Sequence, residues 1–161
     1  MDSDLRQTLL AIARMMAEAR DPWWVIASAA MALHGAAPIT VADVDLLTSV
    51  RDAERLLDTL GIAPSPSEGT PRFRSAIFAR LAIAPVPIEL MADFHIHSGG
   101  AWRPLVPATR IPVALGDALL PVPSIAELIA HCRLFDRPKD KARAALLQRL
   151  ETEESIRPPS A

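Results

Sequence analysis

The chain has 161 residues, of which 50% are hydrophobic and 22% are charged, and its formal net charge is −2. This composition excludes a disordered chain, and the weakly acidic balance provides no overall positive field that would attract nucleic acid. The single cysteine, Cys132, excludes an internal disulfide framework, and the N-terminus carries Asp2 and Asp4 rather than the basic start of a secretory signal. We therefore expect a cytoplasmic protein without a membrane-spanning segment.

Helices and strands are predicted to alternate along the N-terminal part of the chain. Apolar residues first recur at helical spacing, which predicts an amphipathic helix that Asp21-Pro22 terminates. An Ala-rich segment closed by Gly35 predicts a short helix between two apolar strands, and Ser49 and Gly61 mark the capped ends of a third helix. The predicted elements are helices over 5–16, 29–34 and 49–60, and strands over 23–26 and 41–47.

A breaker-rich segment follows the third helix. Residues 64–71 contain three prolines and one glycine, which predicts a loop, and loops of this kind often lie over a site. The apolar runs 73–83 and 86–91 then predict an antiparallel pair of strands, with Glu89 inside the second strand.

The C-terminal part predicts a hairpin and two helices. Residues 111–122 flank a Gly-Asp turn and contain prolines, which indicates a hairpin at a sheet edge. Ser124 and Glu127 form a capping box that opens a helix through Phe135, and Pro138 separates this helix from a last one over 139–150. The predicted organisation is one domain over 1–151, with a helical C-terminal element over 124–151 and a disordered tail over 152–161.

Three acidic residues lie within apolar strands. Asp43 and Asp45 are two residues apart, so their carboxylates share one face of a strand. Two like charges this close repel each other, and a divalent cation held between them is the simplest reason to keep both. The alternative is a solvated strand end, where the Asp-x-Asp pattern is common. Glu89 adds a third acid, which is costly in an apolar strand unless it is paired or exposed.

The order of these features is that of a known fold: a strand, a Ser-containing turn into a helix, a strand with two Asp residues, and a later strand with Glu. The segments that carry the likeness are 25–35 (VIASAAMALHG), 43–47 (DVDLL), 88–90 (IEL) and 137–140 (RPKD). In these segments the chain resembles nucleotidyltransferases of the DNA polymerase β type, especially the small bacterial and abortive-infection toxin-like members. The resemblance covers roughly residues 23–147. It implies an α/β nucleotidyltransferase fold, with a short mixed sheet flanked by helices and a small helical C-terminal element.

The resemblance also implies a reaction and its residues. It assigns Asp43, Asp45 and Glu89 as ligands of Mg²⁺ or Mn²⁺ and as the catalytic acids. The family usually has Gly-Ser or Gly-Gly leading into the short helix. Here Ala27 replaces the glycine and Ser28 keeps the polar position, and both are expected at the nucleotide. The implied reaction transfers a nucleoside monophosphate from an NTP such as ATP to an acceptor and releases pyrophosphate. Protein, tRNA and a small hydroxylated molecule all stay open as acceptors, and a protein partner could complete the site.

The C-terminal segment departs from the family pattern. Relatives commonly have a lysine where this chain has Cys132, and a second acid where it has Arg143, although Lys139 remains available as a phosphate contact. These departures, with Ala27, favour a second hypothesis, in which the fold survives as a nucleotide-binding or protein-interaction module, for example in a toxin–antitoxin-like partnership. The retained acids oppose this hypothesis, because a protein that binds no metal gains nothing from crowding them.

Several residues have both a functional and a structural interpretation. His95 and His97 could bind zinc, but a polar loop is favoured because no further ligand is clustered with them in the sequence. His34 is expected to be a buried or capping histidine, and Cys132 to be part of the core.

Basic residues on two elements have the same ambiguity. Arg72, Arg74 and Arg80 predict either a solvated sheet face or a cationic wall for a triphosphate, with Arg74 as the proposed nucleotide contact. Lys139, Lys141 and Arg143 are typical of a solvated helix face, and among them only Lys139 is supported by the family pattern.

Overall fold

The structure, a computed structural model, describes residues 1–65 and 69–156, and in this part of the chain it contains five helices and nine strands. The helices are α1 (Ser3–Met15), α2 (Ala27–Leu33), α3 (Val50–Leu60), α4 (Ile125–Phe135) and α5 (Pro138–Ile156). The strands are β1 (Trp24–Val25), β2 (Val44–Thr48), β3 (Phe73–Arg74), β4 (Ile77–Leu81), β5 (Ile88–Ala92), β6 (His95–Ser98), β7 (Ala101–Pro104), β8 (Ile111–Leu115) and β9 (Ala118–Val122).

The central sheet has four strands in the order β1-β2-β5-β4. β2 and β5 are parallel, whereas β1 and β4 pair antiparallel with their neighbours, so the sheet is mixed, as predicted. In this register Asp45 lies opposite Glu89, and Glu89 lies opposite Arg80 on β4. Residues directly opposite each other project from the same face. The sheet therefore places Asp45, Glu89 and Arg80 in one row.

Local sequence signals fix the helices next to the sheet. The Ser49 hydroxyl accepts a hydrogen bond from the backbone N–H of Asp52, and α3 ends at Gly61 with φ of 64°, a conformation that glycine adopts without strain. At α4 the Ser124 hydroxyl accepts from the backbone N–H of Glu127, as the capping box predicts.

The α3 helix is also tied to the chain before β1 by a buried carboxylate. Asp52 accepts hydrogen bonds from the backbone N–H of Arg20 at 3.0 Å and of Asp21 at 2.8 Å. Burial by itself raises the pKa of Asp52, but these N–H groups and the nearby Arg55 hold it below its usual value. The charged carboxylate therefore stabilises the junction of α1, β1 and α3.

Two apolar clusters fill the space between the layers. The larger one joins α1, α2, α3, α4 and the sheet, and it contains Cys132, which confirms the core interpretation of this residue. The smaller one lies next to the site described below, and its members are Ile26, Leu47, Met91, Phe94, Ile96, Leu105 and Phe135.

The predicted hairpin forms β8 and β9 around Gly116-Asp117. These two strands make a separate sheet that packs against α1 and β1. Pro112 lies opposite Pro121 in this sheet, and both prolines are tolerated because a two-stranded sheet consists of edge strands.

The structure corrects two predictions of strand and loop. The single strand predicted over 73–83 is divided: β3 pairs with β6, and β4 pairs with β5, because the chain changes sheets between Arg74 and Ile77. His95 and His97, predicted in a polar loop, lie on strand β6, which pairs on both sides with β3 and β7.

Helix α5 extends to Ile156, past the domain boundary predicted at residue 151. Residues 66–68 of the predicted loop and 157–161 of the predicted tail lie outside the described residues. Within the residues that are described, no helix has both the length and the apolar character needed to cross a membrane.

Candidate active site

Three carboxylates converge at the centre of the mixed sheet. Asp43 directly precedes β2, Asp45 is on β2, and Glu89 is on the parallel neighbour β5. One oxygen from each lies within 4.8 Å of the others, and all three side chains are partly buried. We call Asp43, Asp45 and Glu89 the acidic triad. The parallel register explains the arrangement, because it puts Asp45 beside Glu89, with Asp43 on the same face.

The donor set of the acidic triad fits a hard divalent cation. Carboxylate oxygens are the ligands that Mg²⁺ and Mn²⁺ prefer, and three of them leave further coordination positions for substrate oxygens or water. Among the described residues, no basic side chain forms an ion pair with Asp43 or Asp45, whereas Glu89 accepts from Arg80 at 3.0 Å. Among the described residues, two of the three acids therefore form no direct ion pair with a basic side chain.

Crowding and burial perturb these acids. Burial, then the charges of Asp43 and Glu89, raise the pKa of Asp45 to about 7. Burial and Asp43 also raise the pKa of Glu89, against the opposing effect of Arg80 and Lys139. A cation bound by the triad would reverse these shifts, because it favours the charged form of each acid.

A cavity of about 660 Å³ opens beside the triad. All seven site residues expected from the sequence line this cavity: Asp43, Asp45, Glu89, Ala27, Ser28, Arg74 and Lys139. The structure thus brings together side chains from β2, β3, β5, α2 and α5. The volume is within the range of cavities that bind small ligands and cofactors.

The start of α5 and the residue before it contribute two further cations that sequence reasoning did not place at the site: Arg137 directly precedes the helix and Arg143 is on it. Arg137 and Arg143 both line the cavity, and both are held by Asp140, whose side chain is only 1% exposed. Asp140 accepts from Arg137 Nε at 2.6 Å and lies 3.7 Å from Arg143 Nη1. The signal in the sequence was their spacing, since residues three apart on a helix are neighbours. The two guanidinium groups lower the pKa of Asp45, which places their charge close to the triad.

Aromatic rings form the apolar side of the cavity. Phe73 stacks on Phe94 at 5.8 Å and meets Phe135 edge-on at 5.4 Å. The Arg137 guanidinium lies 5.4 Å and 5.3 Å from the Phe73 and Phe135 rings. These rings and Asp140 restrict the guanidinium, which pre-organises its charge toward the cavity.

Ala27 has an unusual backbone conformation. It is the first residue of α2 and has φ of 53°, in the left-handed region that glycine adopts far more readily than alanine. This is the position where the family resemblance leads us to expect glycine. The turn therefore has a backbone geometry that suits glycine, while alanine adds a methyl group to the cavity wall.

The other candidate residues have structural contacts. Arg72 donates to the Phe135 carbonyl oxygen at 2.7 Å, and Arg74 stacks over Trp102 at 4.5 Å while lining the cavity. His34 is the C-cap residue of α2, and its Nε2 lies 2.8 Å from the Pro123 carbonyl oxygen, which ties α2 to the chain before α4. Lys141 pairs with Asp136 at 3.6 Å.

The zinc hypothesis concerns His95 and His97, which both lie on β6. Among the described residues, the acidic triad is the cluster of three or more side chains that could hold a metal, and neither histidine belongs to it. His97 packs edge-on against Trp102 on the neighbouring strand.

Comparison with known proteins gives a structural likeness. Neither a protein-family model nor a curated protein sequence matches the chain. A protein of Thermotoga maritima that is provisionally assigned as a nucleotidyltransferase matches with a TM-score of 0.65 and 22% identity, over 93% of this chain and 92% of that one. The antibiotic-resistance factor ANT(2'')-Ia matches with a TM-score of 0.58 and 13% identity, over 96% and 86% of the two chains.

The lincosamide antibiotic adenylyltransferase LnuA matches with a TM-score of 0.58 and 11% identity, over 88% of this chain and 95% of that one. At these identities the likeness shows the fold. The chain has the nucleotidyltransferase fold, which confirms the predicted fold class, while its placement in the toxin-like branch stays a prediction.

Proposed function

We propose that this chain is a metal-dependent nucleotidyltransferase that moves a nucleoside monophosphate from an NTP to a hydroxyl group of an acceptor. The observation that carries the proposal is the acidic triad, which faces a cavity whose other walls hold four cations. The cations are Arg74, Arg137, Lys139 and Arg143. The fold of the neighbouring structures supports the same chemistry.

The triad would hold Mg²⁺ or Mn²⁺ at the edge of the cavity. When bound there, a divalent cation neutralises charge on the transferring phosphate and lowers the pKa of the attacking hydroxyl. Asp43 and Asp45, which lack basic partners among the described side chains, would ligate it directly. Glu89 would be the third ligand, from the neighbouring strand.

The cations would bind the triphosphate. Arg137 and Arg143 present guanidinium groups that suit phosphate oxygens and are already fixed by Asp140. Lys139 and the Ser28 hydroxyl add contacts at the same cavity. Because α2 has only seven residues, we assign the charge stabilisation to these side chains rather than to a helix dipole.

In the proposed step, the acceptor oxygen attacks the α-phosphorus. The bond from phosphorus to the bridging oxygen breaks, pyrophosphate leaves with that electron pair, and the acceptor proton passes to solvent. We place this reaction in the cytoplasm, and we propose the toxin-like branch of the superfamily as the nearest functional relationship. Protein, tRNA and small hydroxylated molecules are the acceptor classes to screen.

A second candidate is a catalytically degenerate module that binds nucleotide or a protein partner. Ala27 favours it, because the methyl group lies where a phosphate would approach the turn. In such a protein the triad would only add repulsion, so replacing its acids by amides would stabilise the fold without loss of function.

Calorimetric titration separates these functions without knowledge of the acceptor. We expect one or more of the four NTPs to bind in the presence of Mg²⁺, and we expect Asp45→Asn to abolish the Mg²⁺-dependent part of this binding. Asp58→Asn, which removes an exposed acid on α3, is the matched control and should bind like the wild type. Equal binding by wild type and Asp45→Asn would refute the metal–triphosphate site.

A further inference from the structure

The acidic triad is asymmetric in its contacts. Arg80 Nη1 donates to Glu89 Oε1 at 3.0 Å, whereas Asp43 and Asp45 form no ion pair with any described basic side chain. Arg80 is on β4, directly opposite Glu89 and on the side of β5 away from Asp45. Glu89 therefore has a cationic side chain of the protein as its ion-pair partner, whereas the metal hypothesis concerns an added cation.

This ion pair is exposed enough to open. The Arg80 side chain is 54% exposed and Glu89 is 23% exposed. Exposed pairs of this kind are weak, because water screens the charges and the long side chain loses freedom when it is held. The contact thus leaves Glu89 able to turn toward an ion, while the guanidinium charge stays beside the triad.

We infer that Arg80 is a resident counter-cation of the acidic triad and that it lowers the affinity of this site for a free divalent cation. The inference rests on the proposed function, since it takes the triad to be a metal site. Its physical basis is twofold: the guanidinium binds one of the two carboxylate oxygens of Glu89, and its positive charge repels a cation bound nearby. Arg80 is in this sense a residue that sets metal affinity and is not itself a ligand.

The test measures Mn²⁺ binding in the absence of nucleotide, from the loss of the free-ion signal in electron paramagnetic resonance. Arg80→Gln removes the charge and should bind Mn²⁺ roughly threefold to tenfold more tightly than the wild type. Arg80→Lys keeps the charge and should stay within about twofold of it. Circular dichroism establishes that each variant is folded.

Arg51 provides the matched control. It forms an ion pair with Asp21 at 2.6 Å and is 58% exposed, close to the exposure of Arg80. Arg51→Gln changes the net charge of the protein by the same amount as Arg80→Gln. Because Arg51 pairs with Asp21 and not with an acid of the triad, this variant should leave Mn²⁺ affinity unchanged. Equal tightening in Arg51→Gln and Arg80→Gln would overturn the inference, because the effect would then come from net charge alone.

The outcome for Arg80 is distinct from the outcome for the metal site. If Asp45→Asn loses Mn²⁺ binding but Arg80→Gln binds no more tightly than the wild type, the role of Arg80 is refuted and the metal site stands. If Asp45→Asn binds Mn²⁺ as the wild type does, the triad is not the binding site, and both this inference and the proposed function are refuted.

Discussion

The Ala27→Gly substitution tests whether the turn into α2 is strained. A left-handed conformation costs a residue with a β-carbon about 1–2 kcal/mol, and Ala27 has φ of 53°. Glycine removes that cost but loses roughly 0.5–1 kcal/mol through the greater freedom of the unfolded chain. Ala27 is only partly buried, so little packing is lost. We expect a net stabilisation of about 0–1.5 kcal/mol.

Urea denaturation with an unchanged m-value measures this difference directly. Ala32→Gly is the matched control, because Ala32 is partly buried in the same helix but is not in the left-handed region. Glycine at position 32 should destabilise the protein by about 1 kcal/mol, because glycine has a lower helix propensity than alanine. The strain argument is refuted if Ala27→Gly destabilises the protein as much as Ala32→Gly does.

Three other substitutions test the charges of the structure. Asp45→Asn should stabilise the metal-free protein, because the raised pKa of Asp45 makes its ionisation costly to the fold. The gain in stability should be absent below pH 3.8 and should grow until the pH passes about 7. Thermal melts across this range would contradict the argument if the gain were constant. Asp52→Asn should destabilise the protein by about 1–3 kcal/mol in urea titrations. Because the pKa of Asp52 is lowered in the fold, the difference in stability between variant and wild type should shrink as the pH falls below 3.8. Asp140→Asn should weaken Mg²⁺-dependent NTP binding about tenfold, since Arg137 and Arg143 lose the charge that orients them. Unchanged affinity in calorimetry would exclude this orienting role of Asp140.

Much of the fold follows from local sequence signals. Ser49 and Gly61 define α3 because a hydroxyl cap and a left-handed glycine are effects of neighbouring residues. Signals of this kind need no knowledge of distant contacts. The family resemblance assigns Asp45 and Glu89 to one metal site, and the parallel register of β2 and β5 places them opposite each other.

Other features depend on distant contacts. The run 73–83 is predominantly apolar, and the positions of β5 and β6 divide it between two sheets. For the same reason His97 lies on a strand, packed against Trp102. The pairing of Arg80 with Glu89 likewise requires the antiparallel register of β4, which the sequence pattern does not specify to the residue.

The departures from the family pattern at Cys132 and Arg143 lie close together in the structure. Cys132 is buried, and it borders the same small cavity as Arg143, beneath the turn into α2. Arg143 on α5, whose side chain is only 18% exposed, therefore places a cation close to the position where the family resemblance leads us to expect a lysine. We interpret the two departures as one compensating change, which weakens the case for a degenerate protein.

The variant Arg143→Gln decides whether this compensation is functional. It removes the guanidinium that faces the triad, and it should weaken Mg²⁺-dependent NTP binding about tenfold, the usual cost of losing a charge-assisted contact to phosphate. Arg133→Gln removes an exposed charge from α4 and should bind NTP like the wild type, as calorimetry can measure. If Arg143→Gln also binds like the wild type, the cation on α5 does not replace the one missing from α4, and the degenerate module becomes the better account of this chain.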